Sequence, residues 1–332
     1  MKNVTRIVLC VLLAAMILAA PFVVPSGAML GDYMYDFMDY SWGLLPTACA
    51  EGEEVTYSLP IDFTPGMKPN PAAYTESSYI DDSITVEVET LTENDVIWRI
   101  ARIQIKDASQ FRTGIAGNTV KSNRTSLPSV MAEKYNAVIA ISSDYYVNDP
   151  AKTTYEYRMG QEIRDKRNRK KDILFIDENG DFHLFVKSDE AAMKAFDKSG
   201  LDILHAFTFG PALVKDGTLL EMDKKYGYNP NEGEPRMAIG QLDTLSYVLV
   251  LAEGRLPNAA FKNVTSVGVT HQELADFMYD LGCLQAYNLD GGNTATMIFN
   301  SDYYQYKTTG SERPQSDIIY FATAVDPATW SE

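Results

Sequence analysis

"THQELADFMYDLGCLQAYNLDGG", residues 270–292, passes from helix to strand to loop in one short run. Thr270 and Glu273 have the spacing of a capping box, in which each side chain reaches the other's backbone N–H. Leu274, Phe277, Met278 and Leu281 recur every three or four positions and make one apolar face, which stops at Gly282. Residues 284–289 then read as a strand, so Asp290 stands at its carboxyl end before Gly291 and Gly292.

The segments on either side add more strands than helices. Ile84, Val86 and Val88 alternate with polar residues, and residues 96–105 repeat that pattern. Residues 137–141 form a buried strand that runs into Ser142-Ser143-Asp144-Tyr145-Tyr146. Residues 173–176 and 182–186 flank an Asn179-Gly180 turn, the signature of a hairpin. A second helix is expected over residues 190–198, ending at Gly200, and further strands over 247–252 and 318–324. No regular strand–helix alternation appears. The pattern predicts an α+β fold over residues 81–330, a strand-rich mixed-sheet domain with few helices.

Lys2 and Arg6 precede an apolar run over residues 7–24, interrupted by Pro21 and followed by the small residues Ser26, Gly27 and Ala28. Residues 1–28 therefore read as a signal peptide or, at about eighteen apolar residues, an uncleaved membrane anchor. Either places the remainder outside the cytoplasm, secreted or held on the outer face of the membrane. Residues 29–80 read as a spacer or N-terminal arm, with 29–42 open to a short amphipathic helix at the membrane face. Cys10 lies in the apolar run, so Cys49 and Cys283 allow at most one bridge and no disulfide framework. Forty-five acidic against 29 basic residues give a net charge of −16, which excludes nucleic acid as the main partner. An anionic substrate would need a local basic pocket working against that field.

The loop "NLDGGNTATM", residues 288–297, packs poorly and is either an ordinary turn or a ligand-holding one. Glycines permit positive φ and close approach of a ligand to the main chain, and Thr294 adds a hydroxyl. Asp144 is a second carboxylate at a strand end. Arg236 is either an ion-pair partner for an aspartate or an oxyanion clamp. The run Asp177-Glu178-Asn179-Gly180-Asp181 mimics a calcium loop but lacks the distal glutamate, so a hairpin is expected there. His183, His205 and His271 share no zinc-ligand spacing. A divalent cation such as calcium between Asp144 and Asp290 is one candidate cofactor, and no other is indicated. The basic run at residues 164–171 is a solvated loop or a contact for an anionic polymer or membrane surface.

The ordered series "SSDYY" (142–146), "YRMG" (157–160), "FGPALVKDG" (209–217), "PRMAIGQ" (235–241), "NLDGGNTATM" and "ERPQSDIIYF" (312–321) resembles the phosphodiester glycosidase family. The chain differs from the family pattern at Ser142, Met237 and Asn293. The resemblance implies an exported hydrolase acting on a sugar whose anomeric carbon carries a phosphodiester, within a surface or extracellular glycan. Phosphate is a good leaving group, so such a site needs a carboxylate to orient or deprotonate water and donors for charge growing on phosphate. The implied catalytic set is Asp144, Asp290 and Arg236. The implied substrate- and phosphate-binding set is Gly291, Gly292, Asn293, Thr294, Lys215, Arg313 and Arg158. Two alternatives stay open: a non-catalytic glycan-binding envelope domain, and a phosphodiesterase working through two metals.

Overall fold

In β14 (Ser246–Ala252), "SYVLVLA", Tyr247, Leu249 and Leu251 enter one buried cluster and Val248, Val250 and Ala252 another. A strand buried on both faces is a continuous apolar run, and it needs a packing partner on each side. A computed structural model describes residues 56–118, 120, 123–144, 155–166, 170–256, 264–306 and 310–330. The expected signal or anchor, the 29–42 helix, Cys10, Cys49, Tyr145 and Tyr146 lie outside the described residues.

The earlier strands are β1 (Ser78–Ile80), β2 (Ile84–Glu93), β3 (Val96–Ile105), β4 (Phe111–Ile115), β5 (Ile139–Ser142), β6 (Tyr155–Arg158) and β7 (Gln161–Asp165). Next come β8 (Ile173–Asp177), β9 (Phe182–Phe185), β10 (Ile203–Phe207), β11 (Ala212–Lys215), β12 (Thr218–Leu219) and β13 (Arg236–Asp243). After β14 follow β15 (Gln285–Leu289), β16 (Met297–Phe299), β17 (Asp302–Tyr303) and β18 (Asp317–Phe321). Among the described residues the α-helices are α1 (Pro128–Lys134), α2 (Glu190–Ser199) and α3 (His271–Asp280).

The strands of the described residues form three sheets, ordered β1-β2-β3-β14-β13-β15-β11-β12, β7-β6-β10-β8-β9 and β17-β16-β5-β18-β4. One face of each contributes to a common core, including Ile103, Leu249 and Tyr287 from the first, Leu174 and Phe207 from the second, and Ile141 and Ile319 from the third. The other face of each is backed by one helix. Leu274 and Met278 of α3 cover the first sheet, Met193 and Phe196 of α2 the second, and Met131 of α1 the third. Strand-rich sheets with three helices are the α+β arrangement expected from the sequence.

Local signals explain the elements. Both halves of the Thr270–Glu273 capping box form, and Gly200 takes the left-handed conformation at the end of α2. Gly240 faces α3; a Cβ there would lie 2.5 Å from Cys283 Sγ and 2.9 Å from Met278 Cε, so glycine lets helix and sheet close together. The β8–β9 turn is a hairpin, with Asp177 Oδ1 accepting from the Asn179 and Asp181 N–H groups.

Of the expected N-terminal arm, residues 56–80 are docked onto this body. Leu59 is buried, and β1 pairs antiparallel with β2. Buried Arg112 donates to the carbonyls of Pro60, Asp62 and Thr64 at 2.8–2.9 Å, so a guanidinium ties the arm down. Short polar segments gain little from apolar burial, and carbonyl contacts of this kind replace it.

Candidate active site

The register Met237↔Leu289 sets Arg236, at the start of β13, beside Asp290, at the end of β15. The Asp290 N–H donates to the Ser143 carbonyl at 3.2 Å, which ties the first sheet to the third just before Asp144. Asp144, Arg236 and Asp290 thus share one cleft of about 1520 Å³. Its walls also carry Lys170, Lys171, Lys187, Arg255 and Arg313. Counting Lys224, Lys225 and Arg236, eight Lys or Arg side chains line it against six Asp or Glu. In a chain of net charge −16, that local reversal is the basic pocket an anionic ligand requires.

Asp290 is half-buried, and burial pushes its carboxyl up to about 7. The Thr294 hydroxyl and the nearby Arg313 charge oppose that rise, while Asp144 and Asp317 reinforce it. Arg313 is exposed on the cleft wall and donates to Thr294 Oγ1 at 3.3 Å. A carboxyl that titrates near neutral pH, with a guanidinium one hydroxyl away, is suited to exchanging a proton beside an anion.

Asp144 lies buried at the floor of the cleft, its side chain closed to solvent. Its Oδ1 lies 2.5 Å from Arg158 Nη2, and its Oδ2 meets no donor. Arg158 is wholly buried and does not line the cleft. It also contacts Asp317 Oδ2 at 2.9 Å and Glu156 Oε2 at 3.0 Å, and it lies over the Phe207 ring. The sequence reading assigned Arg158 to substrate; the fold commits its guanidinium to Asp144 and to the two carboxylates behind it, Glu156 and Asp317.

Arg236 forms neither the ion pair nor the clamp anticipated for it. Its Nε donates to the Val269 carbonyl at 3.1 Å, and Nη2 to Asn229 at 2.6 Å and Glu232 at 3.4 Å. Nη1 donates to the Tyr228 carbonyl at 3.4 Å and to His271 Nε2 at 3.0 Å. All five N–H groups are engaged. Burial draws Arg236 down to about 10, so it stays charged at neutral pH, and His271 falls to about 3 and stays neutral. Arg236 holds the 228–232 loop, which presents Tyr228, 75% exposed, on the cleft wall.

The glycines serve the backbone first. A Cβ at Gly291 would lie 2.5 Å from the Pro235 carbonyl oxygen, and the Gly292 N–H donates to that same oxygen at 2.7 Å. Gly292 has φ +59°. This N–H is therefore turned away from any ligand. Asn293 is exposed and accepts from Arg255 Nη2 at 3.3 Å. Lys215 lies at the far end of β11, paired with Thr218, and does not line the cleft; Lys170, Lys171 and Lys187 do. Two departures from the family pattern are interior: Met237 is buried in the common core, and Ser142 Oγ accepts from the Thr296 N–H.

Among the described residues no group of three or more His, Cys, Asp or Glu is arranged to hold a metal ion. Asp144 Oδ1 is held by Arg158, and among the described residues Asp144 and Asp290 have no third His, Cys, Asp or Glu placed to complete a calcium site. Sequence reasoning missed Glu156, Asp317, Asp172 and Tyr228. The first was within reach, because in a strand "YEYR" places Glu156 and Arg158 on one face.

Known proteins place the chain. A bacterial relative, the SPbeta prophage-derived uncharacterized protein YomE of Bacillus subtilis (strain 168), is 27% identical over 139 residues, 40% of this chain. The chain matches 20% of that protein's length. A solved structure, the zebrafish N-acetylglucosamine-1-phosphodiester alpha-N-acetylglucosaminidase catalytic domain auto-inhibited by its pro-peptide, superposes with TM-score 0.54 at 15% identity. That match covers 77% of this chain and 86% of the other, and it is a likeness of fold. A hypothetical protein from Synechocystis matches with TM-score 0.49 at 12% identity, over 72% of this chain and 62% of the other. The sequence profile of phosphodiester glycosidases matches residues 135–322, more than half of the chain, a span holding Asp144, Arg236, Asp290 and Arg313: the chain belongs to the phosphodiester glycosidase family.

Proposed function

We propose that the chain is an exported hydrolase that cleaves the bond between a sugar's anomeric carbon and a phosphodiester in a surface or extracellular glycan. The observation that carries this reading is that Asp290, whose carboxyl burial raises to about 7, lines the same cleft as the exposed Arg313, which donates to Thr294. Asp290 accepts a proton from water as the water oxygen bonds to the anomeric carbon. The carbon–oxygen bond to phosphate breaks, and the phosphomonoester leaves with that oxygen and both electrons. Arg313, with Lys171 and its neighbours, faces the charge that grows on phosphate. Asp144 supplies negative charge beside the oxocarbenium-like sugar. Tyr228 offers a flat face on which a sugar ring can rest. Export rests on residues 1–28, which read as a signal or anchor.

The test is turnover of a simple α-N-acetylglucosamine-1-phosphodiester by the full-length protein, with the released phosphomonoester measured against pH. Hydrolysis that rises through about pH 7 and persists in a metal chelator supports the reading. Binding of the compound with no release of phosphomonoester would instead identify a glycan-binding domain, and loss of activity in chelator would identify a metal-dependent phosphodiesterase.

A further inference from the structure

The carboxylates behind Asp144 outnumber the positive charge that holds them. Asp144, Glu156 and Asp317 all contact the Arg158 guanidinium within 3.0 Å, and all four side chains are sealed from solvent. If every carboxyl were ionised, the cluster would hold two uncompensated negative charges in a low-dielectric interior, at several kcal/mol each. Keeping a proton is the lower-energy state.

The contacts say where that proton resides. Asp317 has both oxygens engaged, Oδ2 by Arg158 and Oδ1 by the Ser316 hydroxyl at 2.6 Å. Asp144 Oδ1 makes the shortest of the three contacts with Arg158. The atoms left over are Asp144 Oδ2 and Glu156 Oε1, both buried and both without a donor. Both carboxyls hold the same Arg158 guanidinium, and a hydrogen bond between them, with Glu156 as donor, would satisfy both orphans with a single proton. Burial, then the Asp144 charge, pushes Glu156 well above its usual range. At Asp144 burial and the Asp317 charge also raise, but Arg158, the hydrogen bond from Glu156 and the Thr208 N–H oppose them.

The remaining neighbours are otherwise occupied. Tyr287 donates to the carbonyls of Asp172 and Phe207. His205, held neutral by burial at about 3, bonds the Phe111 carbonyl through Nε2 and accepts from the Met159 N–H through Nδ1. Asp290 acts on the cluster through space, across the cleft.

We propose that Glu156 is a positioning residue whose carboxyl keeps its proton throughout and donates it to Asp144 Oδ2, holding Asp144 ionised against the cleft and leaving proton transfer to Asp290. The division of labour rests on the hydrolase reading above; the buried proton does not. Two carboxyls kept in different protonation states by their surroundings take different chemical roles.

Infrared difference spectroscopy between the full-length protein and Glu156→Gln at pH 7 reads the proton directly. A protonated-carboxyl C=O band that is present in the parent and absent in the variant is expected. In turnover, Glu156→Gln preserves a donor toward Asp144, so kcat stays within about threefold and the pH profile is unmoved. Glu156→Met removes the donor. Its kcat falls about tenfold or more with KM little changed, and the acidic limb of the pH–rate profile moves upward. A parent spectrum without that band overturns the inference, as does a Glu156→Gln variant as impaired as Glu156→Met. If the band is present but no sugar phosphodiester is hydrolysed, the hydrolase reading fails and the buried proton stands.

Discussion

Replacing Asp290 with asparagine removes a charge that the folded chain holds against its preference. The carboxyl has an ordinary value of 3.8 and stands at about 7 in the cleft, raised first by burial. The folded state therefore binds this proton more tightly than the unfolded state does. Between about pH 4 and pH 7 the unfolded chain has released the proton and the folded chain still holds it, so stability falls as pH rises across that window. The full rise corresponds to about 4 kcal/mol. Asp290 is partly open to solvent in the cleft, and screening reduces that to roughly 2 kcal/mol. Asn has no charge to lose, and its amide oxygen still accepts from the Thr294 hydroxyl. Urea denaturation followed by circular dichroism at pH 4, 6 and 8 gives the comparison. Asp290→Asn should match the parent at pH 4 and exceed it by about 2 kcal/mol at pH 8, while turnover drops by about a hundredfold or more. A stability difference that is the same at all three pH values would show that burial does not hold this carboxyl near neutrality, and the base assignment would go with it.

Substitutions at three further positions separate the roles along the cleft. Arg236→Met leaves the carbonyls of Tyr228, Asn229, Glu232 and Val269 without their donor. It should cost about 3 kcal/mol in thermal or urea unfolding, and Arg236→Lys should fail to restore it because one ammonium cannot span the same acceptors. Arg313→Ala should raise KM for a sugar phosphodiester about tenfold with unfolding unchanged, and raising the salt concentration should reproduce part of that loss in the parent. Tyr228→Ala should raise KM severalfold, read from initial rates, again without loss of stability, which distinguishes the platform from the arginine that carries it.

The sequence made the fold legible wherever periodicity was strong. Residues 96–105 are β3, residues 284–289 contain β15, and the Thr270 capping box opens α3. Segments such as β10, "ILHAF", and β4, "FRTGI", were harder. Both are buried at nearly every position, and a fully buried strand has no alternation to display. At the site, the strand-end carboxylates were visible as residue types, but their partners were not. Asp317 meets Arg158 only because β18 pairs with β5 and places its start beside Asp144, a long-range register that local pattern does not encode. The reverse occurred at Gly291 and Gly292. The sequence showed two glycines ready for a ligand, and the fold uses them to pass close to Pro235.

The arginines show why residue type alone misassigns an anion site. Arg112, Arg158 and Arg236 are all buried, and each satisfies its donors within the chain: carbonyls of the 60–64 segment, three carboxylates, and carbonyls of the 228–232 loop. A guanidinium has five N–H groups, and burial without partners would cost several kcal/mol, so an arginine sealed in the fold must find acceptors there. An incoming phosphate would have to compete with those acceptors. An arginine that serves a ligand is therefore found at a cleft wall with solvent access, as Arg313 and Arg255 are. On the proposed reading, recognition of the anion falls to these exposed groups and the cleft lysines, while the buried arginines fix the positions of Asp144 and Tyr228. Phosphate affinity should then fall steeply with ionic strength, because the charges that make it stand in water. The protonation states behind Asp144 should not respond, because theirs do not.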